Sequence, residues 1–180
     1  MMNRQTAIFG GGCFWCLDAV FREVAGVLKV DCGYSGGALE APDYHAVCGG
    51  QTGHAEVVRI VFDAEVVDYR QLLEIFFVIH DPTSRNRQGN DVGTQYRSVI
   101  FVLDEGQRAC AEALIGELEA DAVHTDPIVT EVLDAPHFWP AEPYHQDYFS
   151  HHALQPYCRF VVAPKLERFR RHFPTRQRAS

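Results

Sequence analysis

Positive charge is scarce in this sequence: 16 Lys and Arg stand against 24 Asp and Glu, for a net charge of −8. Recognition of a phosphate backbone needs a basic surface, so the balance argues against a nucleic-acid partner. The one basic cluster, Arg168, Arg170, Arg171, Arg176 and Arg178, reads as a solvated helix face and a frayed tail. Long apolar runs are also missing. No segment approaches the length needed to span a bilayer and none follows a basic start, so no membrane association is expected and the expected compartment is cytoplasmic. Paired metal-ligand spacing is absent too. The single C-x-x-C, Cys13 and Cys16, has no second half, and the adjacent His151 and His152 do not easily turn to one ion, which sets a zinc module aside. There is no internal repeat, low-complexity block or linker. The 180 residues, 47% hydrophobic and 22% charged, therefore read as one domain, residues 1–180, with a core over about 5–135 and an aromatic loop and tail over about 136–180. Six cysteines without a secretory signal are expected to be reduced, catalytic or buried.

What is present centres on Ile8-Phe9-Gly10-Gly11-Gly12-Cys13-Phe14-Trp15-Cys16-Leu17. A short apolar run, a glycine turn and then Phe14, Leu17, Phe21 and Val24 at helical spacing predict strand, turn and helix. Cys13 falls at the first turn of that helix, where unpaired backbone N–H groups and the macrodipole favour a thiolate. Phe14 and Trp15 offer apolar walls beside it. The pattern suits a nucleophilic cysteine next to a small apolar pocket.

Strands are expected over Thr6–Phe9, Val27–Tyr34, Ala55–Phe62, Gln95–Leu103 and Ile128–Leu133. In the second, Leu28, Val30 and Cys32 share one face, which makes Cys32 a core residue. Helices are expected over Phe14–Val24, from an Asp68 cap to Ile79, and over Glu105–Asp121 with Cys110, Leu114 and Leu118 in register toward the core. Ala38–Gly53 reads as a long loop. The order predicts an α+β fold: a ferredoxin-like (split βαβ) two-layer sandwich with a mainly antiparallel mixed sheet, helices on one face and a long irregular C-terminal segment.

Four motifs in order carry a family resemblance. Gly-Cys-Phe-Trp at Gly12–Trp15, Gly53-His54-Ala55-Glu56, Gly89-Asn90-Asp91-Val92-Gly93-Thr94-Gln95-Tyr96-Arg97-Ser98 and His145-Gln146-Asp147-Tyr148 together resemble the A-type peptide methionine sulfoxide reductases. The resemblance runs from about Phe9 to about Lys165. It implies a single catalytic domain, working as a monomer, that reduces methionine S-sulfoxide, free or in proteins, as repair after oxidative damage. It implies no metal, flavin or nicotinamide, and thioredoxin as the reductant.

Residue by residue, the resemblance makes Cys13 the nucleophile and Glu56 the acid that protonates the sulfoxide oxygen. On the strand pattern alone Glu56 sits at the end of an apolar stripe, either desolvated and protonated or turned to solvent or a histidine. Tyr44 and Tyr96 are packing residues by pattern and hydrogen-bond donors to the substrate oxygen by resemblance. Asp91 is a turn former by pattern and a pocket residue by resemblance. Phe14 and Trp15 are implied to clasp the methyl group on sulfur.

The resolving thiol is where the chain departs from its relatives. Many A-type members carry glycine in place of Cys16 and a glycine-rich tail with recycling cysteines, whereas here Tyr157-Cys158 is followed by Arg159–Lys165 with neither glycine nor cysteine. Cys158 is favoured, because a mobile tail approaches a Cys13 sulfenic acid without unwinding the helix; Cys16, in C-x-x-C spacing, is the alternative. Cys48 receives no role. A thioredoxin-like dithiol/disulfide oxidoreductase using Cys13 and Cys16 is the other enzyme reading, and it leaves Glu56 and both tyrosines without purpose.

Overall fold

The computed structural model describes all of residues 1–180. Its sheet is built from β1 (Arg4–Gly10), β2 (Val27–Ser35), β3 (Ala55–Asp63), β6 (Val99–Val102), β7 (Glu131–Asp134) and β8 (Trp139–Pro140). A two-residue hairpin, β4 (Arg87–Gln88) and β5 (Asp91–Val92), stands apart. Helices are α1 (Phe14–Arg22), α2 (Tyr44–Cys48), α3 (Tyr69–Ile79), α4 (Glu105–Ala120), α5 (Tyr148–His152) and α6 (Ala163–His172). The order across the sheet is β7-β6-β1-β3-β2-β8. Every neighbouring pair is antiparallel except β6 and β7. The protein is thus a mixed α+β fold on a six-stranded, mostly antiparallel sheet.

Side chains alternate across this sheet with a period of two, and that period fixes where the site can be. On one face, Phe9 of β1, Val58, Ile60 and Phe62 of β3, and Ile100 and Val102 of β6 join α1, α3 and α6 in the main core. On the other, Ile8, Ala55, Val57, Val99 and Phe101 pack with Phe138 in a smaller cluster that contains no helical residue. Glu56 has the parity of Val58, so its side chain lies on the helix side of the sheet, toward the start of α1.

Several elements differ from the sequence expectation. Leu28 is exposed, because the β2–β3 register shifts between Val27 and Lys29 and turns Val27 inward in its place. The Ala38–Gly53 loop contains α2, whose first turn is capped by Asp43 accepting from the Ala46 N–H at 2.7 Å. The Gln95–Leu103 strand is shortened to β6, with Thr94–Tyr96 wound into a 3₁₀ turn. The strand expected over Ile128–Leu133 occupies Glu131–Asp134. Cys110 is only partly buried against the core. By contrast α3 forms over Tyr69–Ile79 as expected, with Asp68 and Gln71 closing a reciprocal capping box.

The largest correction concerns the C-terminal segment, which from Cys158 to His172 is helical and packed on the core. Cys158–Val162 forms a π-helical turn that runs into α6, and Leu166 and Phe169 enter the main core. The frayed tail is likewise tied down. Ala25 N–H donates to Arg176 C=O at 2.8 Å, Arg178 N–H donates to Glu23 C=O at 2.7 Å, and Arg170 forks onto the Glu23 carboxylate at 2.6 and 3.0 Å. The aromatic stretch before it pairs with the sheet as β8. There Gln146 acts as a side-chain extension of the ladder: it accepts from Cys32 N–H at 2.7 Å and donates to Cys32 C=O at 3.0 Å and Ala141 C=O at 3.2 Å. Replacing Gln146 by Leu removes these three bonds, leaving the Cys32 carbonyl only its bond from the Ala141 N–H at 2.9 Å, and at about 1 kcal/mol per bond the expected loss is ~2–4 kcal/mol in urea denaturation. A loss below about 0.5 kcal/mol would mean that the segment is held by its aromatic contacts alone.

Candidate active site

β1 delivers the chain to α1 through Gly10–Gly12 in a space with no room for side chains. A Cβ at Gly11 would lie 2.9 Å from the His80 ring and 3.0 Å from Phe76. Gly12 has φ +89°, a conformation L side chains rarely adopt, and its N–H donates to the Tyr96 carbonyl at 3.2 Å, which sets Tyr96 opposite the turn. Cys13 is then the N-cap of α1, with extended backbone (φ −61°, ψ 129°) and a partly exposed side chain.

No side chain of α1's own flank caps the helix. The Phe14 N–H instead donates to Glu56 Oε1 at 3.1 Å across the sheet. Glu56 is 1% exposed, and burial pushes its pKa up to about 8. The Phe14 N–H and contact with the Cys13 thiol oppose that rise, while the Asp91 charge adds to it. Glu56 is therefore predominantly a neutral acid at pH 7.

The expectation of a resting thiolate at Cys13 is corrected. Desolvation raises the thiol well above its ordinary value, and Glu56 and Cys16 push the same way. The Trp15 N–H and the Tyr157 hydroxyl oppose the rise without overcoming it, so Cys13 rests as a thiol.

The sequence-named residues converge around this pair. Phe14 is fully buried against Tyr34 and His145, at ring separations of 5.7 and 5.0 Å. Trp15 stacks on Tyr148 at 3.8 Å with its plane 4° from parallel, and its indole N–H donates to His145 Nδ1 at 3.0 Å. Tyr44 opens α2, and its ring lies 4.6 Å from His145. Its backbone N–H donates to Glu142 Oε2 at 3.0 Å, while the buried Tyr34 hydroxyl donates to Glu142 Oε1 at 2.9 Å. Tyr96 is half-buried, and its phenol is held protonated by burial and then by the Glu56 and Asp91 charges. Asp91 accepts from the Tyr157 hydroxyl at 2.6 Å.

Two thiols lie behind Cys13. Cys16, one turn into α1, is 1% exposed and raised to about 11 by burial, with the Lys165 ammonium opposing. It packs with Ala19, Tyr148, Val162 and the fully buried Cys158, and Cys13 leans on the same cluster. Cys32 is a core residue behind Phe14, as its strand pattern implies, and Cys48 is exposed at the end of α2.

Sequence reasoning passed over Tyr157, whose hydroxyl meets both the Cys13 and Cys16 thiols, and Glu142, which seats Tyr44. Tyr157 stands next to a cysteine already singled out, which was signal enough. Glu142 sits in an aromatic stretch without periodicity and had none. A soft nucleophile, a buried neutral acid, two phenols and an apolar wall together suit transfer of an oxygen atom from a polarised S=O group.

The family model described as peptide methionine sulfoxide reductase matches residues 5–177. The peptide methionine sulfoxide reductase MsrA of Chromobacterium violaceum is 53% identical over 169 residues, covering 94% of this chain and 96% of its own. That of Nautilia profundicola is 58% identical over 163 residues, covering 91% and 92%. The fold is similar to that of reduced Mxr1 from Saccharomyces cerevisiae, with a TM-score of 0.80 at 30% identity over 86% of this chain and 89% of that one. A structure of Mxr1 in complex with Trx2 superposes with a TM-score of 0.57 at 20% identity over 81% and 84%, and bears on the fold alone.

The Glu56 shift has a consequence for stability. Its folded pKa of about 8 lies above the ordinary 4.5, so its contribution favours folding below the unfolded value and is lost as pH rises through about 8. Glu56→Gln, neutral throughout, is expected to lose less melting temperature than the parent between about pH 5 and about pH 9. Equal slopes in calorimetry would show that Glu56 is not held protonated.

Proposed function

The chain belongs to the peptide methionine sulfoxide reductase family, and on that premise we propose how its residues divide the reaction. The enzyme is a peptide-methionine (S)-S-oxide reductase: it converts methionine S-sulfoxide to methionine by thiol chemistry, with a thioredoxin as reductant. The observation that carries the division of roles is Glu56, a buried carboxyl pushed up to about 8 that touches both the Cys13 thiol and the Phe14 N–H.

The sulfoxide enters with its methyl group against Phe14 and Trp15 and its oxygen toward Glu56, Tyr44 and Tyr96. Cys13 Sγ attacks the sulfoxide sulfur as Glu56 gives its proton to the oxygen. The thiol proton passes to Glu56 and restores it, the hydroxyl transfers to Cys13, and methionine leaves. One thiol and one sulfoxide become one sulfenic acid and one thioether. The phenols of Tyr44 and Tyr96 stabilise charge on the oxygen while it moves, and Asp91 fixes the Tyr157 hydroxyl beside the sulfur.

A second thiol then displaces water from the sulfenic acid to close a disulfide. Cys158 takes this role in our reading, with Cys16 as the alternative. Both pack in the cluster on which Cys13 leans. Withdrawing Cys16 would unwind the turn of α1 that carries the Phe14–Glu56 bond. Cys158 lies in a single π-helical turn, a wide conformation that rewinds readily and is common at functional sites. Thioredoxin reduces the disulfide by exchange through a mixed disulfide. Mxr1 is crystallised with Trx2, in keeping with such a reductant.

The same reading includes the finer architecture and the setting. The run β6-β1-β3-β2, with α1 and α3 as crossovers, supports a split βαβ, ferredoxin-like core. One main cluster takes in residues from Ala7 to Phe169, which supports a single catalytic domain over residues 1–180. Six free thiols suit a reducing cytoplasm. The working unit is a monomer.

In single turnover of pre-reduced protein with methionine S-sulfoxide, Cys13→Ser should release no methionine and Glu56→Gln should slow release by roughly 10²–10⁴-fold. Normal release by Glu56→Gln would sink the acid assignment. Peptide mapping of the oxidised product should find Cys13 joined to Cys158; a Cys13 to Cys16 bond would transfer the resolving role to α1.

A further inference from the structure

α6 and the turn before it present two stripes at helical spacing. Cys158, Val162, Leu166 and Phe169 face inward and are buried. The neighbouring stripe, with Tyr157, Phe160, Lys165 and Arg168, forms one wall of a groove of about 530 Å³ whose opposite wall includes Asp81 and Asp91. Tyr157 and Asp91 belong to the catalytic site, so the groove begins where that site ends.

The groove is larger than methionine sulfoxide needs, and its chemistry is distinctive. Phe160 is 73% exposed and lends it an aromatic surface. Its two carboxylates are already engaged: Asp81 accepts from the Thr83 N–H, the Thr83 hydroxyl and the Ser84 hydroxyl, and Asp91 accepts from Tyr157. Its two cations have no ion-pair partner: neither Lys165 nor Arg168 has a carboxylate within ion-pairing distance, and Arg168 donates only to the Val78 carbonyl at 3.4 Å. In a chain of net charge −8, unpaired cations beside an exposed aromatic ring mark a place for an anionic, partly apolar ligand.

A methionine within a polypeptide must route its flanking backbone away from the pocket, whereas the free amino acid need not. We propose that this groove holds the chain on one side of a protein-bound methionine sulfoxide, and that it selects extended segments with acidic side chains beside the oxidised residue. The proposal rests on the Cys13 site as read above and supplies its substrate class. Phe160 packs on the segment, while Lys165 and Arg168 meet its carboxylates.

The test compares the parent, Arg168→Glu and Phe160→Ala on three substrates: N-acetylmethionine sulfoxide, a pentapeptide with methionine sulfoxide between glutamates, and the same peptide with lysines. Dithiothreitol replaces thioredoxin, which removes reductant docking from the readout, and Lys165 is left intact because its charge acts on Cys16. The parent should show kcat/KM about tenfold higher for the glutamate peptide than for the lysine peptide, the size expected of one or two partly exposed charge pairs. Arg168→Glu should abolish or invert that ratio, and Phe160→Ala should lower both peptides; neither should alter N-acetylmethionine sulfoxide. Equal rates on the two peptides in the parent, or a ratio that survives Arg168→Glu, would overturn the proposal. In a parallel assay with thioredoxin as the reductant, a variant whose only change is a higher KM for thioredoxin would also overturn it and make the groove the reductant's dock. Calorimetric binding of the corresponding methionine peptides to Cys13→Ser tests the groove without turnover: tighter binding of the acidic peptide supports it and equal affinity overturns it. Failure of the parent to reduce any sulfoxide would count against the Cys13 reading and leave that binding result to decide the groove.

Discussion

The site depends on one hydrogen bond, from the backbone N–H of Phe14 to the carboxyl of Glu56. A helix start leaves N–H groups unpaired, and α1 has no side-chain cap of its own to satisfy them. A buried carboxyl needs a donor as badly as the helix needs an acceptor. Joining the two fixes the entry of α1 against the start of β3 and with it the place of Cys13. The bond favours ionisation too weakly to overcome burial, so Glu56 keeps its proton. Structure and acidity are set by the same contact.

Around that contact the chain's aromatic segment works as a clamp. In His145-Gln146-Asp147-Tyr148 each residue has a distinct mechanical task. His145 accepts the Trp15 indole proton, Gln146 completes the edge of β2, Asp147 donates its N–H to the buried Asp18 of α1 at 2.8 Å, and Tyr148 stacks on Trp15. Asp147 stands in the left-handed region, at φ 52°, to turn the chain between these attachments. The pocket wall at Trp15 is therefore braced from two sides by residues about 130 positions away, a contact separation that carries no local sequence period.

What was legible in the sequence follows from this division. The strand–glycine–helix unit, α3 with its Asp68 cap and the alternating faces of β3 are local patterns, and each reads directly from periodicity and capping chemistry. Glu56 was readable as a residue on the core side of its strand. The protonation state of Cys13 is not, because the helix terminus is a local feature while what outweighs it, burial and then the Glu56 and Cys16 charges, is set by tertiary packing. The C-terminal segment was misread for a related reason. Arg-rich sequence suggests solvent, yet Arg170 and Arg178 return to the Glu23–Val27 turn and hold Cys158 in a buried helical turn. The A-type resemblance supplies what periodicity lacks, by naming Tyr44, Tyr96 and Asp91 as parts of one pocket.

Cys13 and Glu56 also constrain one another electrostatically. Glu56 makes ionisation of the Cys13 thiol harder, whereas the hydrogen bond with Cys13 favours the Glu56 carboxylate without overcoming its burial. Two acids in contact in a dry pocket cannot readily lose both protons, so they titrate as a coupled pair that retains at least one. Oxygen transfer from sulfur needs that retained proton on the departing oxygen at the moment the sulfur nucleophile gives up its own. A cation placed beside Cys13 would produce a better resting nucleophile, but it would also ionise Glu56 and remove the proton donor. In the mechanism proposed above, keeping both groups neutral until a sulfoxide arrives reserves Cys13 for a substrate that accepts the proton, and leaves it less open to oxidants that would react with a free thiolate.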